Sequence, residues 1–175
     1  MKPVWMVLTL SCGLMWAGAG CSQTRAEQKM DGLTGVVFNY SDEAIAEVRV
    51  EGELLGVGLE GVRPGGVMGG GRMCCMAMDP TRSALPVQIT PAIGAPYEVM
   101  AQVEQPWPKD ATTAIAHVLP GRKVVIETSL GYAIAPRRDL LEGQLDALGI
   151  EMEVDETNAM IPRRHRYTEY MDSGR

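Results

Sequence analysis

Apolar positions along this chain fall into many short runs, spaced two apart more often than at the helical period, and glycine, proline or Asp-Ser clusters separate them. Leu33 to Tyr40 is rich in β-forming residues and stops at Ser41-Asp42-Glu43, a turn cluster. Ile45 to Val50 alternates, with Ile45 on one face and Ala46, Val48 and Val50 on the other. Glu51-Gly52 reads as a two-residue hairpin turn, because such turns need a positive φ that glycine tolerates. Leu54 to Leu59 returns. Met73 to Met78, Pro86 to Pro91, Tyr97 to Val103, Thr112 to Leu119, Lys123 to Thr128 and Gly131 to Ala135 continue the pattern, and Ile150 to Val154 reads as a last strand. Two segments break it: Glu60 to Arg72, dense in glycine, and Glu104 to Asp110, where Trp107 stands between two prolines.

One segment has the helical period instead. Pro136 suits a helix start, where its missing N–H costs nothing; Leu141, Leu145 and Leu148 share a face; Gly149 is a natural stop. The expected fold is therefore mainly β, an antiparallel β-sandwich or small barrel with one C-terminal helix.

The ends of the chain differ from its body. Met1 to Gly20 carries a lone Lys2, an apolar run from Val4 to Trp16 and small residues before Cys21, the layout of an export signal. Cleavage before Cys21 with lipidation there is the expected processing, although Ala17-Gly18-Ala19 also offers an ordinary cleavage site after Ala19. An uncleaved anchor would only just span ~30 Å of hydrocarbon, and Gly13, Gly18 and Gly20 suit it poorly. The expected division is residues 1–20 as signal, 21–32 as lipidated tether, 33–161 as the β-rich domain and 162–175 as a flexible basic tail with Arg163, Arg164, His165 and Arg166. Such a protein would face the periplasm from the cell envelope, held by lipid, with the outer membrane as the expected site.

Composition narrows the chemistry. A net charge of −6 over 175 residues argues against nucleic acid as a partner, which selects a basic footprint. Of four cysteines, Cys12 lies in the signal and Cys21 at the lipid site, leaving the neighbours Cys74 and Cys75. Either they bridge each other in a vicinal disulfide, an eight-membered ring, or they are two reduced thiols on opposite faces of a strand, the simpler reading. Gly56-Val57-Gly58-Leu59-Glu60-Gly61 spells a dinucleotide fingerprint, but Pro64 forbids the helix that must follow. Gly65 to Arg72 lacks the Lys and hydroxyl of a phosphate loop. His117, expected half-buried in a strand, has no nucleophile motif around it, and the two histidines with Cys74 and Cys75 lack zinc spacing. No catalytic residue, metal or cofactor is expected, and the chain reads as a non-enzyme. Trp107 offers a rigid anchor for a partner, or else folds back on the sheet. Arg63, Arg72, Trp107 and Lys109, on the two irregular loops, are the candidate partner contacts.

Gly35-Val-Val-Phe-Asn-Tyr-Ser41, Ile45 to Gly52, and Gly69-Gly-Gly-Arg-Met-Cys-Cys75, in that order, resemble the bacterial lipoproteins grouped as domain of unknown function 3304. The likeness covers Gly35 to Met78, with a weaker echo from Ala116 to Pro136. It departs at Met76 to Pro80, where the family often carries Pro and Trp. The resemblance implies an immunity lipoprotein that binds and blocks a type VI secretion phospholipase effector. A structural or accessory envelope lipoprotein with no toxin partner is the alternative.

Overall fold

The computed structural model describes residues 29–70, 72–79, 81–104, 107–108, 110–130 and 134–151. Among the described residues, nine strands and one helix follow in order: β1 Met30–Asn39, β2 Ile45–Val50, β3 Glu53–Leu59, β4 Met68–Gly69, β5 Met73–Met78, β6 Ala84–Pro91, β7 Tyr97–Val103, β8 Thr113–Leu119, β9 Lys123–Ser129 and α1 Arg138–Leu148. They form a single nearly closed barrel in the order β3-β2-β6-β7-β9-β8-β1-β4, with β5 also paired to β1. Most neighbours are antiparallel, but β1 pairs with β8, and β7 with β9, in parallel. Parallel neighbours are not sequence hairpins, so local pattern could not reveal them.

Inside the barrel lie Leu33, Val37, Val48, Leu55, Leu85, Ile89, Ala116 and Ile126, all fully buried. Outside it, α1 lays Leu141 and Leu145 on Val36, Phe38, Tyr40 and Ile115 to make a second core. Strand β8 and the second half of β1 are thus buried on both faces, and burial along them is continuous rather than alternating. The helix begins at Arg138, with Arg137 in extended backbone as its N-cap; Gly149 ends it in the left-handed region, as expected.

Several boundaries differ from the sequence reading. β1 opens at Met30, inside the expected tether. A short strand, β4, lies within the segment expected to be irregular; of the strand expected over Gly131 to Ala135, Ile134 and Ala135 are not in a strand and residues 131–133 lie outside the described residues. Ile45 is not on the face opposite Val48: both are buried, because a bulge at Ala46 resets the register where Ile45 faces Pro91 and Glu47 faces Thr90. The Glu51-Gly52 turn is present, with φ of 50° and 88°. The signal, Cys21, most of the tether, Lys109 and the basic tail lie outside the described residues; of the strand expected over Ile150 to Val154, Ile150 and Glu151 are not in a strand and the remainder lies outside the described residues.

β3 meets β1 and β5 across the open seam without pairing to either. A Cβ on Gly56 would stand 2.6 Å from Val37 Cγ2, so this seam closes only over a glycine. Gly61 has a similar reason: a Cβ there would come 2.1 Å from the Asp42 carbonyl oxygen, where the β3–β4 loop lies on the β1–β2 loop. Close packing accounts for Gly56 and Gly61 of the apparent dinucleotide fingerprint and a φ of 68° for Gly58, and no helix follows it.

The two ends of the barrel are distinct. At the near end lie Met30, where the preceding chain joins, the Glu51-Gly52 turn and the β7–β8 connection. Backbone bonds from Thr34 to the Thr112 carbonyl (2.8 Å) and from Thr112 to the Ser129 carbonyl (3.0 Å) fix this connection there. At the far end lie the β1–β2, β3–β4 and β6–β7 loops, the β8–β9 turn and the C-terminus of α1.

Candidate functional site

His117 on β8 and Glu127 on β9 are both fully buried. The β8–β9 register sets Ile115 opposite Glu127 and His117 opposite Val125, so His117 and Glu127 are diagonal neighbours on the barrel's outer face. His117 Nε2 lies 2.7 Å from Glu127 Oε1, and its Nδ1 lies 3.0 Å from the Tyr40 hydroxyl. That hydroxyl accepts the Arg137 backbone N–H at 2.8 Å. With this bond in place the phenol proton points at Nδ1 and Nε2–H donates to Glu127, a tautomer assigned from the network. The expectation of a half-buried His117 is therefore corrected: α1 covers the face on which a two-layer sheet would leave it wet.

Arg137, only 1% exposed, completes the cluster. Its Nη1 donates to Glu104 at 2.5 Å and lies 3.5 Å from Glu127, while Nε donates to Asp139 Oδ1 at 2.9 Å and Nη2 to Asp139 Oδ2. Burial acts to lower its pKa, but the Asp139 hydrogen bonds and the charges of Glu127 and Glu104 outweigh it and raise the pKa, so the cation persists. Histidine, tyrosine, glutamate and arginine together are residue types that catalyse. Here His117, Tyr40, Glu127 and Arg137 are sealed under α1 and are bonded to one another and, through Arg137, to Glu104 and Asp139, with Gln144 of the helix adding a bond to the Tyr40 carbonyl at 3.0 Å. The cluster fastens the helix to the barrel. Sequence reasoning did not single out Tyr40, Glu104, Glu127, Arg137 or Asp139; the available signal was Glu127 directly after the apolar run Val124 to Ile126, within the same expected strand.

The far end carries accessible surface. Asn39, fully buried, ties two loops together: its amide donates to the carbonyls of Glu43 (2.8 Å) and Glu60 (2.9 Å), and its Oδ1 accepts the Ser41 N–H at 3.0 Å. The Val62 N–H adds a bond to the Ser41 carbonyl at 2.8 Å. The Tyr97 hydroxyl donates to Glu43 at 2.6 Å, and the Arg122 guanidinium lies 4.3 Å above its ring. Burial, and then the Glu43 hydrogen bond and charge, raise the Tyr97 pKa well above the usual phenol value, against a smaller opposing effect of Arg122. A groove of about 270 Å³ runs between the β8–β9 turn and α1, where Leu119 and Pro120 face Leu140, Ala147 and Leu148.

The two candidate contact loops separate. Arg63 is exposed on the far-end β3–β4 loop, and Arg72 is exposed beside β5. Trp107 belongs to the near-end connection and is half-buried against the barrel core; it takes the fold-back reading in part. Cys74 and Cys75 are joined to each other. Both are exposed, so they do not occupy opposite faces of the strand, as the reduced reading expects. In the β1–β5 ladder Leu33 faces Met76 and Gly35 faces Met73, so the two cysteines together stand against Thr34. The pair forms a bulge, with Cys75 at φ 73°, and this keeps Met76 and Met78 pointing into the core.

Among the described residues no group of histidine, cysteine and carboxylate could hold a metal ion, and no helix is long and apolar enough to cross a membrane. No family model, curated protein or solved structure matches the chain.

Proposed function

We propose that this chain is a membrane-tethered, periplasm-facing lipoprotein that works by binding another protein, as an immunity protein that inhibits a type VI secretion phospholipase effector. The observation that carries the binding role is the division of labour within the barrel. Its residues of catalytic type are sealed beneath α1, while four loops are braced against one another at the end away from Met30. A rigid scaffold that presents loops is a common design for recognition. A tether joined at Met30 would leave that end free to meet a partner. The phospholipase identity rests on the resemblance of Gly35 to Met78.

The test uses the full chain with a C-terminal tag, recovered with its partners from the bacterium that makes it. The eluate is assayed for phospholipase before and after the tagged chain is separated. Lipase activity that appears on separation supports the reading. Capture of envelope proteins with no lipase favours the accessory role instead.

A further inference from the structure

Residues Ala92 to Pro96, the tip of the β6–β7 hairpin, are all exposed and carry no polar side chain; Ile93 is 91% exposed, more than any other large apolar residue described. A run of exposed apolar residues on a folded surface costs solubility and calls for a function. This one is also held rigid. Pro91 and Pro96 fix φ on either side, Gly94 turns the chain at φ 118°, and the Ala92 N–H donates to the Ala44 carbonyl at 2.7 Å. On the returning leg Tyr97 is gripped by Glu43 and covered by Arg122. Both legs are thus fastened to the barrel, and Ile93 is carried on a pre-set spur that loses little entropy when it is buried.

We infer that the Ala92–Pro96 tip is a plug, whose Ile93 enters a concave apolar cleft of a protein partner, of the kind an enzyme needs to receive an acyl chain. This deepens the immunity reading and rests on it. Two observations favour a protein cleft over a lipid surface. Around the base of the tip the carboxylates Asp42, Glu43 and Glu98 outnumber the cation Arg122, a balance that an anionic membrane would repel, and the tip lies at the end opposite Met30, where the tether joins. A second copy is disfavoured by the net charge of −6 on each chain.

The test compares the full chain with Ile93→Asp, and with Val57→Asp as a control at an exposed apolar site on β3. The probe is the phospholipase captured by the wild-type chain. Ile93→Asp is expected to weaken inhibition by about 30-fold or more, as loss of a central anchor does, while Val57→Asp stays near wild type. Equal inhibition by wild type and Ile93→Asp overturns the plug and leaves the immunity reading standing. Failure of the wild-type chain to capture any lipase overturns both. Ile93-dependent binding to vesicles of phosphatidylethanolamine and phosphatidylglycerol, or Ile93-dependent self-association in sedimentation, overturns the plug in favour of a lipid surface or a second copy.

Discussion

The Tyr40 hydroxyl and His117 Nδ1 meet at 3.0 Å beneath α1, and the same hydroxyl accepts the backbone N–H that leads into that helix. One atom, on the residue that follows β1, therefore ties β8 to the residue that caps α1. Tyr40→Phe removes it while leaving the ring packed. The expected loss is about 1–3 kcal/mol of unfolding free energy, the cost of depriving buried polar groups of a partner. Urea unfolding measures it, and a variant within a few tenths of wild type would show that the bond contributes little.

Arg137 holds three carboxylates, two of them largely buried. Arg137→Met keeps an unbranched apolar stem and deletes the guanidinium. It should destabilise by about 3–5 kcal/mol, because Glu104 and Glu127 lose the guanidinium they pair with in a buried site. A fall of less than about 1 kcal/mol in the same unfolding assay would mean that the cluster is not the fastening described.

The Tyr97 phenol sets an alkaline limit. Its folded pKa is raised above the unfolded value, so its contribution to stability is complete below the unfolded phenol pKa and declines as pH rises through the folded one. Stability of the wild-type chain should therefore drop above pH ~10, and Tyr97→Phe should flatten that drop. Identical alkaline profiles for the two proteins would contradict the Glu43–Tyr97 bond.

The Asp42 carbonyl meets Gly61 so closely that alanine cannot enter without moving backbone. Gly61→Ala should cost about 1–3 kcal/mol and loosen the far-end loops together. Thermal unfolding and hydrogen exchange at residues 41–44 and 60–63 check this; an unchanged melt with unchanged exchange would refute it.

Much of this architecture was legible in the sequence. Alternation placed β2, β3 and β5 to β9 within a few residues, but not the two-residue β4; Glu51-Gly52 marked its hairpin, and Leu141, Leu145 and Gly149 marked the helix. The bulges at Ala46 and at Cys74-Cys75 were not legible, because each breaks the period-two rule locally in order to keep the core residues beyond it in phase. The cluster under α1 was hidden for a different reason. His117 and Glu127 come together only through the β8–β9 register, and Tyr40 reaches them through a parallel pairing of distant strands. The hairpin tip left a plain trace, Ala92 to Pro96 without a polar side chain, but only the structure shows that Ile93 is outside rather than in the core.

The most direct measurement is hydrogen exchange on the full chain, alone and bound to the captured phospholipase. Binding through the far end requires slowed exchange at residues 41–44, 92–97 and 120–122, with the near-end connection at 104–112 unchanged. Protection confined to 104–112, with the β6–β7 tip exchanging as in the free protein, would contradict it.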